Sequence, residues 1–311
     1  MNILIPTKDR TDVIGNKALR PFPDAMLRAG IKDVERYGQH EGGAMGRVLV
    51  YHVQPIPRSL MAAFVAAHHY AVRVPPHCLL SLGCFRGNDL VGVASWGYGV
   101  RPRHTIQRLF PSLTTADYYE LNRLCMLDSE PRNGESQFLR LCREFIRQHE
   151  PRRVVLFTWA DGMRGKPGYV YQADNWLYGG FIRTEFYVTT ENEVVHPRQV
   201  ITRCGRRDRA FTRSVGLRRV RGRQFRYVRF LCGHAERKRL LRESPVRWGR
   251  AYPKMQDCVW TFENGEGAAE GSRESREPPR FQGSGQFRHA APLLSERPKS
   301  TPASAGVPGD A

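Results

Sequence analysis

The chain has 311 residues, 41% of them hydrophobic, and a formal net charge of +19. That is enough apolar material for a packed core, yet no run approaches the ~18 apolar residues a membrane span needs, and the apolar stretch from Leu60 to Ala67 is too short and too far into the chain to read as a signal peptide. The seven cysteines are odd in number and include no Cys-x-x-Cys, which argues against a disulfide framework or zinc ribbon and for reduced thiols in a cytoplasm.

In chain order, residues 1–45 carry no sustained periodicity and read as a loose N-terminal extension, with Met45 an alternative start. Val48–Tyr51 is expected to form a strand, and Leu60–His69 a helix with Ser59 as its N-cap. Cys78–Phe85 and Leu90–Trp96 flank Arg86-Gly87-Asn88-Asp89, which is a hairpin signal. Tyr118–Leu127 reads as a strand. Glu135–Gln148 places Phe138, Leu139, Leu141, Cys142, Phe145 and Ile146 at helical spacing, and Arg153–Ala160 is a buried-type strand. A short helix over Gln172–Tyr178 is expected to end at Gly179-Gly180, before a strand over Ile182–Thr189. The folded part spans 46–260; residues 261–311, rich in Gly, Ser, Pro, Arg and Glu, read as a disordered tail. This order is that of a mixed α/β domain.

Charge gives the first functional signal. Residues 201–254 hold 18 Lys/Arg against three acids, a net +15, interleaved with Phe211, Phe225, Tyr227, Phe230 and Trp248. A basic aromatic segment of this kind fits a nucleic-acid backbone. Three constellations could carry chemistry. Glu120–Leu124, the Pro131–Ser136 turn and the helix that follows form a strand–loop–helix in which free N–H groups, the helix dipole and Arg132 would hold a pyrophosphate, or in which Glu135 and Ser136 merely cap a helix. Asp161 stands where an apolar strand ends, before a Gly/Pro/Arg loop and Tyr171; the pair offers a proton acceptor and a proton donor, or a turn cap and core packing. His68-His69-Tyr70 could be an acid/base pair, a metal ligand or a stacking edge, although adjacent histidines make a poor zinc site.

Together these motifs resemble the Mom family of phage DNA-modification proteins. The resemblance runs through His69-Tyr70, Glu120-Leu121-x-Arg123-Leu124, Pro131-x-Asn133-x-Glu135-Ser136 and Ala160-Asp161. It continues through Gly168-x-x-Tyr171-Gln172-Ala173-x-Asn175-Trp176-x-Tyr178-x-Gly180, Tyr227–Leu231 and Ala251-Tyr252-Pro253-Lys254, covering roughly residues 48–254. It implies a GNAT-like N-acyltransferase fold, a mixed sheet flanked by helices. The implied activity converts adenine in duplex DNA to N6-carbamoylmethyl (acetamido) adenine, shielding the DNA from restriction inside a bacterial host. It also implies His69, Tyr70, Asp161 and Tyr171 as catalytic residues, and Arg132, Asn133, Gly134 and Ser136 as the lining of the cofactor loop. Acetyl-CoA is the implied donor; iron and a homodimer are allowed for. The loop after Asp161 departs from the family pattern in having Lys166 where a histidine is expected. The competing expectations are a conventional GNAT acetyltransferase, whose Arg/Gln-x-x-Gly-x-Gly/Ala loop is matched poorly by Arg132–Ser136, and a noncatalytic DNA-binding protein.

Overall fold

The computed structural model describes residues 51–71, 74–190, 192–263, 272–277 and 279. The expected strand over Val48–Tyr51 and the loose N-terminal extension therefore fall almost wholly outside the described residues. The chain divides into two compact units. The first holds the described residues up to Asp161 with Lys166–Ile182 and Phe225–Lys254; the second holds Gly162–Gly165, Arg183–Gln224 and the described residues from Met255 on.

In the first unit, strand β1 (Tyr51–Pro55) pairs antiparallel with β2 (Cys78–Arg86), and β2 with β3 (Asp89–Gly97). The β2–β3 hairpin turns at Gly87-Asn88, where Gly87 takes φ +60°, a conformation open to glycine at little cost. Strand β4 (Tyr118–Met126) continues the sheet antiparallel to β3, with a register shift that leaves Asn122 as an extra, bulged residue between Leu121 and Arg123. Strand β5 (Val155–Ala160) lies parallel to β4 and antiparallel to the second half of β8 (Arg218–Phe230).

Helices cover both faces. Helix α1 (Arg58–His68) starts at Pro57 rather than Ser59, since proline suits a helix start, and buries Met61, Phe64 and Val65 against Ile56, Val93 and Cys125. Short helix α2 (Ile106–Leu109) follows a 3-10 turn at Pro102–His104. On the opposite face lies α3 (Gly134–His149), whose Phe138 ring rests where Gly92 lacks a side chain. A second core joins Ile106 and Phe110 to Tyr118, Phe157, Val228 and Leu240, the last from α7 (His234–Glu243).

The expected helix over Gln172–Tyr178 is instead α4 (Tyr169–Ala173), and the chain is already extended in β6 (Leu177–Val188) at the two glycines. The helix stops because Asn175 takes φ 57°, a left-handed conformation that asparagine tolerates. Gly179 is small for a packing reason: a Cβ there would lie 2.2 Å from the Trp248 ring.

The second unit pairs the end of β6 with β7 (Val194–Val195), and the start of β8 with β9 (Trp260–Glu263). Helices α5 (Pro197–Cys204) and α6 (Arg209–Ser214) lie between β7 and β8 in the chain. Tyr187, Val195, Val200 and Leu217 form the core of this unit. Part of the stretch read as a disordered tail is ordered, since β10 (Ser272–Ser275) pairs with β9. The rest of that stretch, 264–271, 278 and 280–311, lies outside the described residues.

One buried ion pair fixes the segment that carries Tyr171. Arg143 of α3 donates to the Asp174 carboxylate at 2.9 Å, and the Trp176 indole donates to its other oxygen at 2.8 Å. The Asp174 side chain is only 6% exposed, so removing it strands a buried guanidinium. Asp174→Ala should cost about 3–5 kcal/mol, read as a lower urea midpoint with an unchanged m-value.

Candidate functional site

The parallel pairing of β4 with β5 covers only Tyr118–Leu121 against Val155–Thr158. β4 runs on to Met126 and β5 to Ala160, so the strands part and leave a gap with unladdered backbone on both sides. At the fork, Thr158 Oγ1 donates to Leu121 O at 3.1 Å and stands 3.5 Å from the Tyr171 hydroxyl. Asp161 follows β5 directly. Gly168, at φ +96°, brings the chain back beneath Tyr171; a Cβ there would crowd Tyr227, Ala160 and Tyr171 at 2.7–3.0 Å.

Arg123, the first residue past the bulge, is the hub. Burial lowers its pKa, and the opposing pull comes from Tyr70, Asp161 and Tyr171. A largely desolvated guanidinium is favoured by such partners. Three of the four residues expected to be catalytic thus act electrostatically on one cation, and the fourth, His69, stacks on Tyr70 with ring centroids 4.2 Å apart. Lys166 Nζ lies 4.6 Å from the Tyr70 ring centroid. The lysine that departs from the family pattern thus lies at the site.

His69 is held neutral. Burial, and then the Arg123 charge, push its pKa down to about 4. Its Nδ1 lies 2.9 Å from the Ala71 N–H, which donates to it, and 3.3 Å from Ala71 O, so the backbone of Ala71 fixes the ring. His69 is therefore a neutral, backbone-anchored imidazole. Burial raises the pKa of Tyr171, which keeps its proton and can donate it.

The cofactor-loop residues sit at the start of α3. Asn133 is the N-cap and makes no side-chain capping bond, while the Ser136 hydroxyl turns back to Asn133 O at 2.9 Å. Gly134 N–H is taken by Pro131 O at 2.7 Å, which leaves the next N–H groups of the first turn for an anion beside exposed Arg132. Gly134 itself is buried; a Cβ there would meet Met126 Sδ at 3.0 Å and the Tyr51 hydroxyl at 3.2 Å. Glu135 of the same turn acts electrostatically on Tyr171. An uncapped helix start beside an opened strand pair fits a pyrophosphate with an extended thioester arm. Iron is another matter: among the described residues no group of three or more His, Cys, Asp or Glu converges. Iron is not supported.

Arg123 and Lys166 were not among the residues picked from sequence as functional. An arginine in the middle of a strand ordinarily reads as solvent-facing; the signal for Arg123 was its place in the Glu-Leu-x-Arg-Leu strand.

A mixed α/β sheet opened between two parallel strands, with a buried cation at the opening and an uncapped helix start alongside, defines a group-transfer type of cleft. The model of the Mom protein family matches residues 50–254. Methylcarbamoylase mom of Escherichia phage Mu is 35% identical over 192 residues, covering 60% of this chain and 78% of the relative. The chain belongs to the Mom protein family. Among solved structures, aminoglycoside 6'-acetyltransferase type Ii aligns over 58% of this chain and 98% of its own, with 7% identity and a TM-score of 0.33. An N-acetyltransferase from Staphylococcus aureus Mu50 gives the same coverage and TM-score with 8% identity. Likenesses this low bear no weight for function.

His69 gives a direct test. Because its folded pKa lies below the unfolded value, folding stability contributed here is present above about pH 6.5 and falls as pH drops toward 4. NMR of the ring protons should show no His69 titration between pH 5 and 8; an ordinary midpoint near 6.5 would overturn its neutral state in the fold.

Proposed function

We propose that this chain is a transferase that modifies adenine in duplex DNA at N6, giving the carbamoylmethyl (acetamido) form, and so protects the DNA from restriction inside a bacterial cell. The observation that carries this reading is the convergence of Tyr70, Asp161 and Tyr171 on Arg123, with His69 stacked behind Tyr70, in a member of the Mom family.

The adenine amino group is a poor nucleophile because its lone pair is delocalised into the ring, so it needs positioning and help with proton removal. In a duplex the base must leave the stack, at a cost of a few kcal/mol. Tyr70, stacked on His69 and with the Lys166 ammonium 4.6 Å from its ring centroid, borders the place the extruded base would take. Asp161, paired electrostatically with Arg123, takes the N6 proton. Tyr171, kept protonated by burial, gives a proton to the departing group. Arg132, Asn133, Gly134 and Ser136 would hold the pyrophosphate of acetyl-CoA at the start of α3. That cofactor would supply a two-carbon unit whose thioester carbonyl becomes the amide when a nitrogen donor displaces the CoA thiol, while bonding its methyl carbon to N6 removes two hydrogens and takes a two-electron oxidant as a further co-substrate.

Two measurements check the reading. Mass spectrometry of nucleosides from a host expressing the wild type should show adenosine heavier by the carbamoylmethyl group, and Asp161→Asn should lose the adduct while still binding duplex DNA. Unmodified DNA from soluble wild-type protein, or an active Asp161→Asn enzyme, sinks the respective claim. In vitro, acetyl-CoA carrying two 13C atoms in its acetyl group should place both in the adduct; an unlabelled adduct excludes it as the carbon donor.

A further inference from the structure

The basic charge that suggests a nucleic-acid partner is not all available to one. Within the second unit, Arg207, Arg219 and Arg221 are engaged by Glu185, and Arg219 and Arg221 also by Glu263. Both carboxylates come from outside the 201–254 segment. Part of its formal excess is therefore neutralised inside that unit.

The first unit is arranged differently. In α7, Arg239 is the cation that pairs, with Glu236 at 2.7 Å and Glu243 at 3.2 Å. Lys238 and Arg242 are one helical turn apart on the same face, and Leu240 between them points the opposite way into the core with no exposure. They face straight out, and among the described residues neither has a carboxylate within ion-pair distance. Arg103 and Arg108 flank the start of α2 and are exposed in the same way.

The two tracts are bound together. Phe110, which follows α2, stacks on Trp248 at 5.6 Å and meets Phe230 edge-on at 5.8 Å. Ser112 donates to Glu243 at 2.7 Å and accepts from Arg239 at 3.0 Å. The residues that pair in α7 are thus spent on fixing α2 to α7, while the unpaired cations of both point outward. Residues 101–108 contain no acid and three arginines, and 234–254 hold seven Lys/Arg against two acids, so the joined tracts carry +8. Both rest on the core that includes Tyr118, and Arg123 lies five residues further along β4, about 16 Å at strand rise.

We propose that the outward cations of α2 and its preceding turn, with those of α7, form one phosphate-binding face for duplex DNA. It is a bipartite surface, half of it outside the basic segment visible in the sequence. Exposed cations with no carboxylate to displace release counterions on contact with the dense line of duplex phosphates. The face holds the backbone while a base is delivered a strand's length away to Arg123. This rests on the reading of DNA as the substrate.

The test uses full-length protein and a labelled random-sequence duplex of roughly two helical turns, with binding followed by anisotropy across a salt series. Arg103→Glu/Arg108→Glu and Lys238→Glu/Arg242→Glu should each weaken binding about tenfold or more. Each should also flatten the slope of log affinity against log salt by about 1–2, at ~0.9 per phosphate lost. The milder Arg103→Gln/Arg108→Gln should move the same way, and Arg207→Glu in the second unit should change the slope little. Wild-type affinity and slope in both Arg103/Arg108 variants would overturn the bipartite face, leaving the DNA substrate standing. A wild type that binds no duplex would overturn both. Variants that bind DNA normally yet yield unmodified DNA would also refute the face, since its loss must be read in binding.

Discussion

Where β4 and β5 part beyond Leu121 and Thr158, two strand edges face each other without a ladder between them, and the site is built on that opening. Parallel strands ordinarily keep pairing to their ends, because unpaired backbone groups in a sheet interior are costly. Here the bulge at Asn122 bends β4 away, and Arg123 emerges just past it. The guanidinium then has to find partners among whatever lies round the fork. Tyr70 reaches it from the end of α1, Asp161 from the end of β5, and Tyr171 from α4. Four separate stretches of chain are tied to one charge.

The same arrangement explains the protonation states. Burial beside a cation disfavours a second positive charge, so His69 is neutral, and burial disfavours a phenolate, so Tyr171 is protonated. Asp161 then carries the negative charge that faces Arg123. The site holds a donor, an anion and a neutral ring in fixed places before any ligand arrives. Such preorganisation is what a weak nucleophile such as an exocyclic amine requires.

Much of the scaffold is legible in the sequence because local signals agree with tertiary packing. Gly87-Asn88 between two apolar runs gives the β2–β3 hairpin, and the apolar stripe of Phe138, Leu139, Cys142 and Ile146 gives α3. The segment after Tyr171 is misread because its two cues depend on distant residues. Asn175 ends the helix early through its backbone, and Gly179-Gly180, which looks like a helix stop, lies within β6, where Gly179 leaves room for Trp248 from about seventy residues away and Gly180 takes φ +79°. The proposed catalytic set is legible only as separate motifs. Nothing in the spacing of His69, Tyr70, Asp161 and Tyr171 says that Arg123 joins them, because that follows from a bulge and a strand divergence.

Charge shows the same limit from another side. Summed along the chain, the residues from 201 to 254 look like one basic segment. In three dimensions arginines take three different roles. Arg123 is buried and gathers the site; Arg207, Arg219 and Arg221 are held by two glutamates; Lys238 and Arg242 stand outward with no acid near. Only the last kind can release counterions to a polyanion, because a cation already paired with a carboxylate gives up one partner to gain another. Net charge therefore announces a polyanionic partner, while the pattern of neutralisation decides which face meets it. By that criterion the turn at 101–108, inconspicuous in a count of charge, weighs as much as the basic strand that first draws the eye.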